Sequence, residues 1–539
     1  MHHLNSPFVA GAVVGPTENE MKVNPDRLAW WLRGYDSKVT DYLVSGFRNG
    51  FYIGYSGNPT SKTYKNHNSA YENTEVVDNY IKEELSKGRI EGPFNEPPGI
   101  YQCSPIGLVP KKDKGEFRVI HDLSYPPGQS VNDAISTEHT FVQYESVYDA
   151  IKMLAKIGDG AFMCKTDIEK AFRIIPLHLE VRHLFCMHWG GKYYIDKRMQ
   201  MGCSSSCQIF ETFSKAVAWI AHSKLGIPNT HYLDDFLFGS KSIEEGQSNL
   251  KKFLLMCKDI GIPIYAKKTF LPNTIMSFLG FEIDTLKKEF RLPLDKIEQC
   301  QKELLHLLGK KKAELREVQS VVGLLNFACQ VVLPGRAFLR RLIDSTRAIK
   351  KPRHKCRIYK SHKDLQVWLN FLENHNGRCF FLSEKFISNH DLKLYTDSSK
   401  IGFAGIFRDR WFAGEWPSMW WKCQNIMLLE LLPIVIAIEI WGCYFENQRL
   451  RIFTDNQSLV PVLNKQTSQE PTGLVMILVR RLVLACLKHN ILIEAEHISG
   501  VLNVGADRLS RAKYKEFFDV CPQAQKVPCK FPPLPALLN

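Results

Sequence analysis

Two groups of carboxylates stand where buried acids would be expensive unless something cationic shares their site. Asp167 closes the apolar run FMCKT, and Asp234 and Asp235 sit between aromatic residues in HYLDDFLF. Adjacent acids removed from water repel each other and resist ionisation. A pair of divalent metal ions relieves that repulsion. Placed about 3.5–4 Å apart, such ions hold the attacking and leaving oxygens of a phosphoryl transfer. Mg²⁺ takes carboxylate, phosphate and water oxygens, which is the donor set these acids offer. A second group lies further along: Asp397 in LYTDSS, Glu430 in LLELL, Asp455 in IFTDN and Asp507 in VGADRLS. Asp397 and Asp455 each follow a short apolar strand and a threonine. Glu430 lies in a strongly apolar helix, where an uncompensated acid is costly. Four such acids suit metal-activated water attacking a phosphodiester.

The elements that must carry the first group read as an α+β arrangement. EVVDNYIKEELSK, from Glu75 to Lys87, has helical spacing and stops at Gly88. SPIGLVPKK and EFRVIHDLS flank a Lys-Gly turn and predict a hairpin. Residues 161–177 read as a strand and a short helix, and HYLDDFLFGS as two strand halves about a tight turn. Phe210–Leu225 and Ile243–Ile260 read as helices, MSFLGFEID as a strand, and residues 295–345 as mainly helical and basic. Before residue 75 the chain is rich in Gly, Asn, Ser and Tyr. One helical element over Asp26–Phe47 is expected there, its aromatics packing on the main body.

A further unit starts near Asp391. LKLYTDSS and GFAGIFRDRWFAGEW predict successive strands, NIMLLELLPIVIAIEIWG a buried helix, LRIFTDN a strand, TGLVMILVRRLVLACLKHN a helix and ILIEAEHIS a strand. That order implies a mixed sheet covered by helices. The last 27 residues hold five prolines and predict an extended tail.

Composition sets the frame. The chain has 539 residues, 70 Lys and Arg against 56 Asp and Glu, and a formal charge of +14, which favours a polyanionic partner through counterion release. Fifteen scattered cysteines without a CxxC pair give no support for a zinc finger, and small buried thiols in a reducing compartment are expected. The N-terminus lacks a secretory pattern. The apolar stretches 428–441 and 474–487 are interrupted by Glu430, Glu439, Arg480 and Arg481. The expectation is an intracellular protein with no membrane segment, nuclear or cytoplasmic location being open.

The motifs D-x-x-x-A-F at 167–172, MGCSSSCQIF at 201–210 and YLDD at 232–235 occur in the order and spacing of a reverse-transcriptase palm. Over about residues 75–512 the chain resembles reverse transcriptases of retroelements. SPIGLVPKK, FRVIHDLSYP, FLGFEID and LLNFACQVVLPGRAFLRRL are similar to those of the tyrosine-recombinase retrotransposons called DIRS-like. The resemblance implies a right-hand polymerase of fingers, palm and thumb, followed by an α/β ribonuclease-H-like domain. The expected divisions are an extension (1–74), fingers and palm (75–290), thumb and connection (291–390), a ribonuclease-H-like domain (391–512) and a Pro-rich tail (513–539).

The resemblance also implies roles. Asp167 and Asp234 are metal ligands, with Asp235 the third member of the metal set, shaping the site more than binding metal directly. Lys111 and Arg118 contact the triphosphate, for which an Arg fork and a Lys point charge are suited; Lys112 and Lys114 belong to a solvated basic turn. Phe172 is a steric gate against a 2′-OH. Met201 and Gly202 pack template and nucleotide base, and Met201 stands where some relatives carry Gln. Lys268, or its neighbour Lys267, lies near the pyrophosphate leaving group. Phe278–Gly280 correspond to a primer-grip hairpin. Asp397, Glu430, Asp455 and Asp507 form a ribonuclease H site, and His497, in the run with Asn503 and Asp507, assists product release. Two Mg²⁺ or Mn²⁺ ions per site, an RNA template, a DNA primer, an RNA–DNA hybrid, dNTPs and a separately encoded recombinase follow from the same resemblance. The rival expectation is a co-opted nucleic-acid-binding protein of the same fold without catalysis.

Overall fold

The computed structural model describes residues 22–111, 115–347, 349, 351–374, 378–379, 386–417, 425–446, 448–470, 473–498 and 503–534. Lys112, Lys114 and the last five residues of the Pro-rich tail lie outside them. The chain divides into two compact units, one reaching residue 279 and including 283–287, the other comprising 280–282 and residue 288 onward.

The first unit is built on a four-stranded antiparallel sheet in the order Phe270–Asn273, Phe162–Asp167, Asp235–Ser240, Asn229–Tyr232. On one face of the two central strands Cys164, Phe236 and Phe238 are buried, Phe238 standing directly opposite Cys164. Helices Ser206–Ser223 and Ile243–Ile260 carry the other half of that core through Phe210, Phe213, Phe253 and Cys257. The Phe238 and Phe253 rings meet at 4.6 Å between centroids, a contact that stabilises beyond area burial alone. Ser242 caps the second helix, its hydroxyl accepting from Glu245 N, and Gly261 ends it with φ 88°, which only glycine adopts freely.

A second sheet joins strands Lys62–Thr63, Gln102–Cys103, Cys186–Trp189, Lys192–Asp196 and Ile90–Phe94. The hairpin of Ile106–Pro110 with Phe117–His121 pairs antiparallel, Val109 facing Arg118. Helix Thr74–Ser86 packs Val77 and Ile81 on this region.

The region before residue 75 shares the main core. The single helix expected over Asp26–Phe47 is two, Pro25–Trp31 and Ser37–Asn49. Gly34, at φ 91°, turns the chain between them, and the Asp36 carboxylate accepts from Val39 N to start the second. Leu28, Leu43 and Phe47 enter the same core as the sheet helices. Asp259 accepts from Arg27 Nε and, at 2.8 Å, from Trp31 Nε1.

The second unit opens with helices Leu294–Leu308 and Leu315–Ala328 and continues through His362–Asn374. Trp368 is fully buried, and a Cβ on Gly335 would lie 2.2 Å from its ring, so glycine is required there. Strands Leu394–Ser398, Gly402–Phe407 and Arg410–Glu415 form an antiparallel sheet, and Arg449–Thr454 pairs parallel with Leu492–His497. Among the described residues these are two sheets, not the one hydrogen-bonded mixed sheet expected. Helix Ile426–Trp441 is apolar on every side and is buried on nearly every side, as such a helix must be in a globular unit. With the turn that follows it, to Phe445, it is long and apolar enough to cross a membrane, a reading its two charged residues had argued against, but most of it lies inside this unit against the first two strands and helix Leu474–Lys488.

The tail is not simply extended. Residues Tyr514–Val520 are helical and bury Phe517; all five prolines of the tail lie beyond this helix, from Pro522 onward, and leave it unbroken. Phe531 then rests on Phe403 and Phe412, while Cys529 N donates to Trp411 O at 2.7 Å.

Candidate active sites

Strand register brings the first acids together. Asp167 ends its strand directly opposite Asp235, and Leu233 and Asp234 make the two-residue turn before it. Leu233 takes φ 53°, a conformation that strains a side chain with a Cβ and holds the turn tight. Ile168 N donates to Asp234 O at 2.9 Å, pinning the turn beside the strand end.

Asp167 and Asp234 face a cleft of about 860 Å³, which is also lined by Lys111, Arg118, Phe172, Met201 and Lys268. Burial, and then the charge of Asp167, push the Asp234 carboxyl up to about 6. Burial also raises Asp167, although Lys268 Nζ sits 2.8 Å from its Oδ2 and opposes that shift. Desolvation pulls the Lys268 ammonium down, but Asp167 and the field of Asp234 and Asp235 carry it above its ordinary range. Lys268, not Lys267, is therefore the lysine that the fold delivers to this cleft.

Asp235 points away from the opening. It pairs with Lys165 Nζ at 2.8 Å, its other oxygen is buried without a hydrogen-bond partner, and it does not line the cleft. Phe172 is half-buried, its ring 5.5 Å from that of Phe210, and it keeps one side toward the cleft. Lys111 pairs with Glu116 at 2.9 Å across the hairpin, and Arg118 reaches the sulfur of the exposed Met201 at 3.7 Å. Gly202 lies outside the lining. A Cβ there would stand 2.6 Å from His121 O, while Asn132 Nδ2 donates to its carbonyl at 2.9 Å, so this glycine sets the bend that presents Met201.

Several residues at this cleft were not anticipated from the sequence. Arg173, next to Phe172, is bound by Glu84 and, at 2.8 Å, by Asp196, which also receives Gln200. Burial and these acids act oppositely on Arg173, and the acids prevail, keeping it charged. Lys170 extends along the rim to Glu83 at 2.9 Å. The only local signal for the buried group is the arginine after A-F.

The second group assembles in the second unit. Asp397 lies in the first strand, Glu430 in the buried helix, Asp455 just after strand Arg449–Thr454 and Asp507 in helix Val504–Ser510. Ser510 Oγ donates to Asp397 at 2.6 Å, Ser398 Oγ to Glu430 at 2.9 Å, and Arg511 Nε to Asp507 at 2.7 Å. Burial, and repulsion from Asp455 and Asp507, raise Asp397 to about 6. Burial, and the charges of Asp397 and Asp455, raise Glu430 to about 8. His497 ends the last strand with Nε2 3.1 Å from the Asp455 carbonyl. Asn503 Nδ2 donates to Thr396 O at 2.8 Å, joining the helix of Asp507 to the strand of Asp397.

Asp234 in the first group, and Asp397 and Glu430 in the second, fit divalent ions by their chemistry: desolvated carboxylates raised further by neighbouring acids. Among the described residues no three His, Cys, Asp or Glu side chains close around one point. Mg²⁺ commonly uses one or two carboxylates and completes its shell with substrate phosphate and water.

Residues 109–283 match the family described as reverse transcriptase (RNA-dependent DNA polymerase). The Pro-Pol polyprotein of Simian foamy virus type 1 is 28% identical over 226 residues, 42% of this chain and 18% of that polyprotein. The alignment thus spans under a fifth of its relative's length. In fold the chain is similar to the foamy viral protease–reverse transcriptase dRH in complex with double-stranded DNA (TM-score 0.51, 15% identity, 91% of this chain and 84% of the other). It is equally similar to the foamy viral protease–reverse transcriptase in complex with RNA/DNA hybrid (TM-score 0.51, 14% identity, 91% of this chain and 64% of the other). On a polymerase fold, the chain carries a reverse transcriptase domain similar to those of foamy-viral and other retroviral polyproteins.

Proposed function

We propose that this chain is an RNA-directed DNA polymerase with a ribonuclease H site, copying retroelement RNA and degrading the RNA strand of the hybrid. The observation that carries the reading is the convergence of Asp167 and Asp234 at one strand end, inside a cleft that also presents Lys111, Arg118, Lys268 and Phe172. Two Mg²⁺ or Mn²⁺ ions held by Asp167 and Asp234 would supply charge neutralisation and a more nucleophilic primer 3′-OH. The chain's own residues do the rest. Lys111 and Arg118 bind and orient the triphosphate of a dNTP, so that the 3′-OH and α-phosphate meet in line. Lys268 holds a proton beside the leaving pyrophosphate. Phe172 excludes a 2′-OH by its ring edge. Lys310, Lys311, Lys312, Arg336, Arg340 and Arg341 give the duplex backbone a cationic partner.

In the second unit, Asp397, Glu430, Asp455 and Asp507 would hold the ions of a hydrolytic site, and His497 would help discharge product. That the foamy viral enzymes were solved with double-stranded DNA and with RNA/DNA hybrid supports a template, primer and hybrid as partners here. Affiliation with DIRS-like elements, and with it a separate recombinase, rests on the motifs from SPIGLVPKK to RAFLRRL.

The test is extension of a DNA primer on an RNA template by the purified chain with Mg²⁺ or Mn²⁺, offering dNTPs or NTPs. Extension with dNTPs alone, lost in Asp234→Asn/Asp235→Asn, is the expected result. Tight hybrid binding without extension or RNA cleavage would instead identify a non-catalytic binder.

A further inference from the structure

Lys165 is a lone lysine within the strand Phe162–Asp167, whose other interior residues are buried and largely apolar. It leaves the solvent almost entirely: its side chain is 16% exposed, and that of Asp235 19%. The two are diagonal neighbours on adjacent strands, since Asp235 stands opposite Asp167 and Lys165 lies two residues before it on the same face. Lys165 Nζ is 2.8 Å from Asp235 Oδ2. With the other Asp235 oxygen unpartnered and buried, this ammonium is the close counter-charge of that carboxylate. The same Nζ donates to Ser277 O at 3.4 Å and lies 5.9 Å from the centre of the Phe278 ring. Ser277 and Phe278 end the strand Ile275–Phe278, which leads into the FLGF turn.

One buried cation therefore touches both the turn that carries Asp234 and the strand that leads to the FLGF turn. A lysine serves because its three donors spread over separate acceptors, whereas an apolar side chain would leave Asp235 an uncompensated buried charge. We propose that Lys165 is a positioning residue: it locks the YLDD turn to the 275–278 strand, setting the separation between Asp234 and the primer terminus. This rests on the polymerase reading for its functional half and on geometry alone for its structural half.

The experiment uses the full chain with Lys165→Met, Lys165→Arg, Asp235→Asn and Lys165→Met/Asp235→Asn. Hydrogen–deuterium exchange reads the tie without any need for activity. In Lys165→Met, amides of 232–237 and 275–279 are expected to exchange at least tenfold faster together, and in Lys165→Arg within threefold of the parent. Unchanged exchange in either segment overturns the tie. If Lys165→Met does not fold, the double variant, which removes the stranded charge, supplies the comparison. Single-nucleotide extension then reads position. The expected result is a maximal rate at least tenfold lower with dNTP affinity within twofold, and a further loss of rate in the double variant relative to Asp235→Asn alone. A double variant no slower than Asp235→Asn alone would reduce Lys165 to a mere neutraliser of Asp235 and overturn the positioning role. Absence of extension by the parent chain would strike the polymerase reading instead, with the exchange result still deciding the tie.

Discussion

Asp234 and Asp235 are neighbours in sequence with different surroundings, and substitution should separate them. Asp234 faces the cleft beside Asp167, while Asp235 faces Lys165. Asp234→Asn is expected to lower primer extension by about 10³-fold or more, in line with removal of a principal electrostatic stabiliser. Asp235→Asn should lower it by roughly an order of magnitude less, because the lost group acts through its neighbours; rates measured side by side at saturating Mg²⁺ check this. Phe172→Val should leave dNTP use within a few-fold and raise NTP incorporation, reducing sugar discrimination by about 10–200-fold, the range available to a change of pocket volume. Competition between dCTP and CTP in one reaction measures it. The clustered acids were legible because an acid at the end of an apolar run is anomalous in itself. Lys165 was not, since one lysine in a strand has many bland explanations. Arg173 was not either: its partners Glu84 and Asp196 lie 89 and 23 residues away, and no local pattern announces a contact at such separation.

At the scale of elements, the buried helix Ile426–Trp441 turns a pH change into a stability change. Glu430 rises from an ordinary 4.5 to about 8, and Asp397 from 3.8 to about 6. An acid whose folded pKa exceeds its unfolded one binds its proton more tightly when folded. The stabilisation is complete below the unfolded value and is lost as pH climbs through the folded one. Without divalent ions the second unit should therefore weaken between about pH 4.5 and 8. Because metal binding favours the ionised carboxylates, Mg²⁺ should raise its melting temperature more at pH 8 than at pH 5.5. Glu430→Gln should raise metal-free stability at pH 8 by roughly 1–2 kcal/mol and abolish most of the Mg²⁺ effect. Calorimetry at the two pH values, with and without Mg²⁺, decides it. The strands and long helices here were readable from alternation and from an all-apolar helical run. The sheet pairing was not: alternation says which face is buried, not which edge a strand joins. The short helix Leu459–Lys465 was also missed, because seven residues give too few turns to establish a period.

For the whole molecule, the excess of 70 basic over 56 acidic residues makes binding to nucleic acid salt-sensitive. If the chain contacts about six phosphates, affinity for an RNA–DNA hybrid should fall about 10³-fold between 50 and 200 mM salt; fluorescence anisotropy over that range tests it, and a flat response would contradict duplex tracking. In the second unit, Asp364 is buried between Arg341 at 3.0 Å and Arg480 at 3.1 Å, joining helix His362–Asn374 to helix Leu474–Lys488. Burial raises Asp364, and the two arginines offset only part of that rise. Asp364→Leu would strand Arg480 and should destabilise the unit by about 3 kcal/mol, read by denaturant midpoint. That helices before residue 390 and strands after it share one unit was not readable from composition, because no Gly/Pro-rich linker or charge run marks where such a unit ends.

The strap formed by Cys529 and Phe531 has a consequence for synthesis. Phe531 covers Phe403 and Phe412, strands that leave the ribosome more than a hundred residues earlier. Until residue 531 has emerged from the exit tunnel, those rings keep only part of their cover, from Trp416 and Trp441. This unit must then complete its folding late, and a translating chain paused before the strap would present a ready client surface to chaperones.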